Sequence, residues 1–149
     1  MNVKDNSRKV VLLSAAILLF LCTATSILSF KELPAGEDGA KTQTEVKNIS
    51  TTQAKELIDK EKDVFILDVR TTEEYNEAHM KDANLIPIQE LEQNINKIPK
   101  DKKVVVYCAR GKRSANACVM LKDKGLKELY NVEGGINQWK SEGYPIEKP

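Results

Sequence analysis

Apolar and polar positions follow two different regimes along the chain. Val10 to Phe30 runs twenty-one residues without a charge, enough as a helix to cover ~31 Å and match a bilayer's hydrocarbon thickness. From Ile49 onward the apolar residues come in short groups separated by polar punctuation. Ser50 and Gln53 are spaced as a capping box before Ala54, Leu57 and Ile58, which predicts a short amphipathic helix. "DVFILDV", residues 63–69, has strand length and a nearly unbroken apolar run, and Thr71 with Glu74 forms a second capping box directly after it. "NLIPI" predicts a short strand ended by Pro87, and Leu91, Ile95 and Ile98 mark one face of another helix. "KVVVY" is the most strand-like segment, a helix opens near Ser114 and is stopped by Gly125, and "ELYNV" adds a further strand. A last helix covers Ile136 to Lys140 after the Gly134-Gly135 turn. Strands separated by helices require crossover connections, so the predicted class is α/β, a mostly parallel sheet with helices on both faces.

The segment before residue 49 has a different character. Lys4, Arg8 and Lys9 against the single Asp5 precede the uncharged run, and the positive-inside rule then keeps the start in the cytoplasm and carries the rest across the membrane. Residues 1–30 are therefore read as a transmembrane or signal segment, with an uncleaved anchor favoured by length over a signal cleaved near Ala24 or Ser26. Lipid attachment at Cys22 is disfavoured because Leu21, not a small residue, precedes it. Residues 31–48 mix charge, Gly, Pro and Thr without periodicity and read as a linker, leaving residues 49–148 as the folded domain. The expected location of that domain is extracytoplasmic: membrane-anchored or, after signal cleavage, secreted or periplasmic.

Charge narrows the function classes. The whole chain has a formal net charge of +1, which excludes a strongly basic nucleic-acid binder. Any electrostatic effect must be local, and one stretch concentrates it: "VVVYCARGKRSANA", residues 104–117. Cys108 ends a strand, where open α/β sheets place their ligands. The residues after it lead into a helix whose first-turn N–H groups and dipole favour an anion. Arg110, Lys112 and Arg113 add positive charge. Such a setting lowers a thiol's pKa from ~8.5 and makes Cys108 a reactive thiolate.

"CARGKRS" resembles the active-site loop of rhodanese-type sulfurtransferases, Cys-x-x-Gly-x-Arg-Ser or a near variant. Four further segments resemble that family's motifs in order: "ILDVR", "EEYNEAHM", "DANLIPI" and "VEGGINQW". The match covers about residues 49–148, with Ala78 and Asp82 standing where the family usually has Gly. The resemblance implies a rhodanese fold and a single-domain sulfurtransferase in which Cys108 attacks the outer sulfur of thiosulfate or another small anionic sulfur donor. A small thiol, cyanide or a thiol protein then accepts the sulfur from the Cys108 persulfide. In that scheme the amides of Ala109 to Arg113 cradle the anion and Gly111 lets the loop close. Arg110, Lys112 and Arg113 attract the donor, and Ser114 caps the helix or donates to sulfur. Cdc25-like phosphatases and arsenate reductases resemble the same architecture but place five residues between Cys and Arg, against four here, which makes this cradle tight for a phosphate. A rhodanese module kept only for binding is the third reading, and the retained cysteine argues against it.

Other polar residues have ordinary structural uses. Asp68 and Arg70 at a strand end suit an ion pair that fixes the turn better than an acid–base pair. His79, the only histidine, reads as a hydrogen-bonded packing residue, and Trp139 as packing for the last helix. Cys118 reads as a small buried hydrophobe, with a resolving thiol as the alternative. No His or Cys cluster has metal-ligand spacing, and no cofactor is expected.

Overall fold

The computed structural model describes residues 44–148. The expected membrane segment at residues 10–30, Cys22 and the linker up to residue 43 lie outside the described residues. Among the described residues, no helix is long and apolar enough to cross a membrane.

In chain order the elements are β1 (Val46–Ile49), α1 (Thr51–Lys60), β2 (Val64–Asp68), α2 (Thr72–Glu77), β3 (His79–Met80) and β4 (Asn84–Leu85). Two 3-10 turns follow, Ile88–Glu90 and Glu92–Lys97, and then β5 (Lys103–Tyr107), α3 (Lys112–Leu121), β6 (Glu128–Val132), α4 (Gly135–Ser141) and β7 (Ile146–Glu147). Five strands form one sheet in the order β1-β6-β5-β2-β4, every neighbour parallel. A small antiparallel pair joins β3 to β7.

β5 lies at the centre and explains the layering. Its residues alternate between two cores: Val104 and Val106 pack with Leu67, Ala117, Cys118 and Leu121 on one face. Val105 and Tyr107 pack with Ala54, Ile66, Ile136 and Trp139 on the other. α3 and the 3-10 turns thus cover one side of the sheet and α1 and α4 the other, which is why "KVVVY" is apolar at successive positions instead of alternating. Both capping boxes form, Ser50 with Gln53 and Thr71 with Glu74.

Four local expectations are corrected. Val46–Ile49, read as the end of the linker and the domain's first residue, is the sheet's edge strand and pairs with β6 from Val46↔Leu129 to Ile49↔Val132. With Lys47 and Asn48 at its middle, it carries no apolar run to signal a strand. Leu91, Ile95 and Ile98 do not share one α-helical face. The segment between Pro87 and Pro99 winds as two 3-10 pieces, in which residues three apart eclipse, so Ile88 pairs with Leu91 and Ile95 with Ile98. The "NLIPI" strand shrinks to Asn84–Leu85, because after Ile86 donates to the Asp68 carbonyl at 3.0 Å, Pro87 has no N–H to continue the ladder. α3 ends at Leu121, short of Gly125, which adopts φ +74° in the following turn.

The carboxyl end of β2 is fixed by charge. Asp68 is fully buried and Arg70 nearly so. The Arg70 Nε donates to both Asp68 oxygens at 2.9 Å, and Nη2 donates to Asp68 Oδ2 at 2.6 Å and to the Ala78 carbonyl at 2.8 Å. The pair therefore ties β2 to the segment after α2. Ala78 is extended there, with φ −175°, and needs no glycine. Asp82 does sit in the left-handed region, at φ +60°, a conformation an Asp tolerates better than most residues. Beside the pair, burial and the Asp68 charge push the Tyr107 phenol far above its usual range, and its oxygen accepts the Met80 N–H at 3.1 Å.

Asp68→Asn keeps the shape and removes the charge, leaving Arg70 buried without its counter-ion. Urea unfolding is expected to show a loss on the order of 3–5 kcal/mol. Glu56→Gln, which breaks the exposed pair with Lys60, is expected to cost less than ~1 kcal/mol.

Candidate active site

Cys108 follows β5 directly, at the carboxyl edge of the sheet, and residues 108–113 bend around its sulfur before α3 continues. The bend depends on Gly111, the N-terminal cap of α3, at φ +93°. A Cβ there would lie 3.1 Å from the Val132 carbonyl oxygen and 3.3 Å from the Gly134 nitrogen, so both the conformation and the space call for glycine. The Gly111 N–H donates to Cys108 Sγ at 3.2 Å, and the Ser114 hydroxyl lies 3.6 Å from the same sulfur.

The loop's orientation is set from outside. The first N–H groups of α4 donate to its carbonyls, Ile136 to Cys108 at 2.9 Å and Asn137 to Ala109 at 3.1 Å. With those carbonyls committed, the N–H groups further along the loop are left for the sulfur. The approach is close. A Cβ on Gly135, at φ +57°, would fall 2.3 Å from the Cys108 carbonyl oxygen.

Burial alone would push the Cys108 thiol up, since the side chain is only 2 % exposed. The Ser114 hydroxyl and the N–H groups of Ser114, Arg110 and Gly111 outweigh that cost and hold the thiol below its ordinary range. Cys118, on the inner face of α3 in the apolar core, lacks such donors and is pushed up to about 12 by burial. The two thiols of the described domain thus have opposite environments, one poised to ionise and one inert.

The basic side chains divide. Arg110 and Lys112 are exposed. Arg113 is half-buried, with its guanidinium gripping Glu74 at both oxygens, Nη1 to Oε2 at 2.8 Å and Nη2 to Oε1 at 2.6 Å. That fork, with the Thr71 N–H, holds the Glu74 carboxyl at about 2. Arg113 still faces Cys108, but its charge is shared with α2. Ser114 is fully buried and is not the helix cap; its hydroxyl lies 2.6 Å from Asn131 Oδ1 and 3.0 Å from the Gly111 carbonyl.

The residues flanking the loop are structural in their contacts. Asp68 and Arg70 are consumed by the ion pair described above. His79 stacks flat on Tyr75, with ring centroids 3.8 Å apart, and its Nδ1 is 3.0 Å from the Tyr75 carbonyl oxygen. The Trp139 indole N–H donates to the Pro145 carbonyl at 2.8 Å. Among the described residues, no group of three or more His, Cys, Asp or Glu side chains is arranged to hold a metal ion.

Comparison with known proteins sets this loop in context. Residues 50–142, more than half of the chain, match the model of the rhodanese-like domain. The chain belongs to the rhodanese-like family. This rhodanese-like domain is 37 % identical over 100 residues to a sulfurtransferase of Allochromatium vinosum, a match spanning 67 % of this chain and 92 % of the relative. It is 37 % identical over 95 residues to the thiosulfate sulfurtransferase GlpE of Coxiella burnetii, spanning 64 % of this chain and 88 % of the relative. The crystal structure of a rhodanese-related protein from Thermoplasma volcanium superposes with a TM-score of 0.63 at 36 % identity, covering 69 % of this chain and 99 % of that one.

Three residues that shape the loop of this rhodanese-like domain escape a reading of the cysteine motif alone. Glu74 holds Arg113, Asn131 meets Ser114, and Gly135 allows α4 to reach the loop carbonyls. Glu74 has a local signal only as a helix cap, and Gly135 only as a turn residue, because each acts on a segment far away in sequence. What the assembled loop can do chemically follows from its dipoles: it stabilises negative charge on a sulfur at the mouth of the sheet.

Gly135→Ala tests the approach of α4 directly. A methyl placed 2.3 Å from the Cys108 carbonyl oxygen must push the loop off the helix. Alkylation of Cys108 near neutral pH is therefore expected to slow several-fold. Gly143→Ala, also at positive φ but with nothing near its Cβ, is expected to leave that rate unchanged.

Proposed function

We propose that this rhodanese-like domain is a sulfurtransferase that carries a sulfane sulfur on Cys108. The observation that carries the reading is the sulfur's setting: a nearly buried thiol whose pKa is nevertheless lowered, because loop amides and a hydroxyl converge on it. The Cys108 thiolate attacks the outer sulfur of thiosulfate; the new S–S bond forms as the old one breaks, and sulfite leaves with the bonding pair. The persulfide anion keeps its charge on the outer sulfur, where the cradle stabilises it as it stabilised the thiolate. A thiolate or cyanide then attacks that outer sulfur and leaves with it, as a persulfide or as thiocyanate, and Cys108 returns as the thiolate. Arg110 and Lys112, exposed at the rim, draw in the anionic donor, while Arg113 faces the sulfur from its fork on Glu74.

Phosphate-ester chemistry fits this loop less well. Only four residues separate Cys108 from Arg113, and both guanidinium nitrogens that would clamp a phosphate are bonded to Glu74. A purely binding role leaves the lowered thiol pKa without a use.

Intact-mass measurement of the full chain after exposure to thiosulfate is expected to show the gain of one sulfur atom, mapped by fragmentation to Cys108 and lost on adding cyanide. Cys108→Ser is expected to gain none. Sulfur on Cys118 instead, or turnover that survives Cys108→Ser, would overturn the assignment.

We propose separately, from the sequence alone, that the domain lies outside the cytoplasm, held by residues 10–30 as an uncleaved helix. It is supported by the uncharged length and by Lys4, Arg8 and Lys9 ahead of it. Fractionated cells are expected to hold the full-mass protein in membranes, released by detergent but not by salt and digested by protease added outside. A soluble chain beginning near Thr25 would instead establish a cleaved signal.

A further inference from the structure

The Ser114 hydroxyl has one proton and three acceptors within reach: Asn131 Oδ1 at 2.6 Å, the Gly111 carbonyl at 3.0 Å and Cys108 Sγ at 3.6 Å. It can serve only one of them fully. The Gly111 carbonyl already accepts the Ala115 N–H at 3.0 Å and stays paired if the hydroxyl turns away, so the contest that matters is between Asn131 and the sulfur. The shortest contact is to Asn131, and it claims the proton while the sulfur is neutral. A thiolate or persulfide needs it more, because hydrogen bonds to an ionised acceptor are the stronger kind. If the hydroxyl simply turned to the sulfur, Asn131 Oδ1 would be left in the interior without a donor, since Asn131 is only 3 % exposed.

A side-chain amide can resolve the contest without moving. It carries a donor and an acceptor in nearly the same shape, and a half-turn about its last bond exchanges them. Turned, Asn131 offers its N–H to the Ser114 oxygen and leaves the hydroxyl proton free for Cys108. Its Oδ1 then faces Asn48, to which Nδ2 now donates at 2.9 Å. Asn48 is also an amide, exposed on the edge strand, and can turn in the same way. The strand register independently places the two side by side, with Asn48 on β1 opposite Asn131 on β6. The row Asn48–Asn131–Ser114–Cys108 can thus reverse its direction with each buried member still paired.

We propose that Asn131 is a positioning residue that sets the direction of the Ser114 hydroxyl, and that reversal of the Asn48–Asn131 amide pair delivers the hydroxyl proton to the Cys108 sulfur when that sulfur is an anion. No covalent bond changes in the reversal, and the thiol proton itself leaves to solvent. The proposal deepens the sulfur-carrier reading and rests on it for its purpose, but its geometry stands without sulfur transfer.

The test is a double-mutant cycle in the full chain, reading the ionisation of Cys108 from the pH dependence of iodoacetamide alkylation at its peptide. Arg113, the charged side chain facing the sulfur, stays in every variant. Ser114→Ala in the natural background is expected to reduce the thiolate fraction below the midpoint roughly tenfold, the usual scale for one hydrogen bond to a charged group. Asn131→Asp can only accept, so it holds the hydroxyl proton. In that background Ser114→Ala is expected to change the fraction less than about twofold. The added charge of the Asp shifts both members of the pair equally and cancels in the cycle. Should Asn131→Asp fail to fold, Asn48→Asp on the exposed edge holds the amide in its present direction and is expected to abolish the Ser114 effect in the same way. A Ser114→Ala effect of equal size in all backgrounds would overturn the proposal. Because the readout is alkylation, a Cys108 that obeys the cycle yet takes no sulfur from thiosulfate would sink the sulfurtransferase reading and leave the relay standing.

Discussion

Two hydrogen bonds organise the site: the N–H groups of Ile136 and Asn137, at the start of α4, donate to the carbonyls of Cys108 and Ala109 at 2.9 and 3.1 Å. A peptide unit has a donor and an acceptor on opposite sides, so fixing where the carbonyls go largely fixes where the amides point. Here the carbonyls are drawn toward α4, which orients the Arg110 N–H in the same peptide unit as the Ala109 carbonyl, and the N–H groups of Gly111 and Ser114 join it in supporting the sulfur. Burial costs the thiolate its water, and these donors return more than burial takes. α4 can come this close only because residue 135 has no side chain.

The surroundings keep that arrangement rigid without adding free charge. Asp68 and Arg70 neutralise each other beneath the loop after β2, and Arg113 and Glu74 do so beside the sulfur. The fork between Arg113 and Glu74 also joins α2 to α3 across the mouth of the sheet. Negative charge on Cys108 is therefore met chiefly by oriented dipoles that need no reorganisation when charge develops, the condition under which electrostatic stabilisation is most effective. Arg110 and Lys112, exposed at the rim, act on what approaches rather than on what is bound.

Features with a local cause were readable from sequence. A nearly continuous apolar run marks β2 and β5 because both faces of each are covered, and the two capping boxes mark helix starts because cap and partner are three residues apart. Cys108 stood out because strand end, thiol and helix start are adjacent in the chain. What was hidden acts at a distance. The Glu74–Arg113 fork spans 39 residues, the Ser114–Asn131 contact 17 and the Asn131–Asn48 contact 83, and no periodicity reports such pairs. β1 was hidden for a different reason: its stability comes from pairing with β6, while Lys47 and Asn48 are polar and exposed and look like linker. The 3-10 turns were misread because their apolar spacing of three, repeated after a gap, also fits an α-helical face.

Backbone and hydroxyl donors, not exposure, hold the Cys108 thiol below its ordinary range. A site-resolved pH titration of alkylation in the full chain tests it most directly, because Cys118 in the same domain serves as the internal reference. Cys108 is expected to ionise below the ordinary thiol value of ~8.5, so that its reaction gains little rate as pH rises further, while Cys118 stays unreactive until the domain unfolds. A Cys108 titrating at or above the ordinary thiol value would contradict it, since burial would then outweigh the donors around the sulfur.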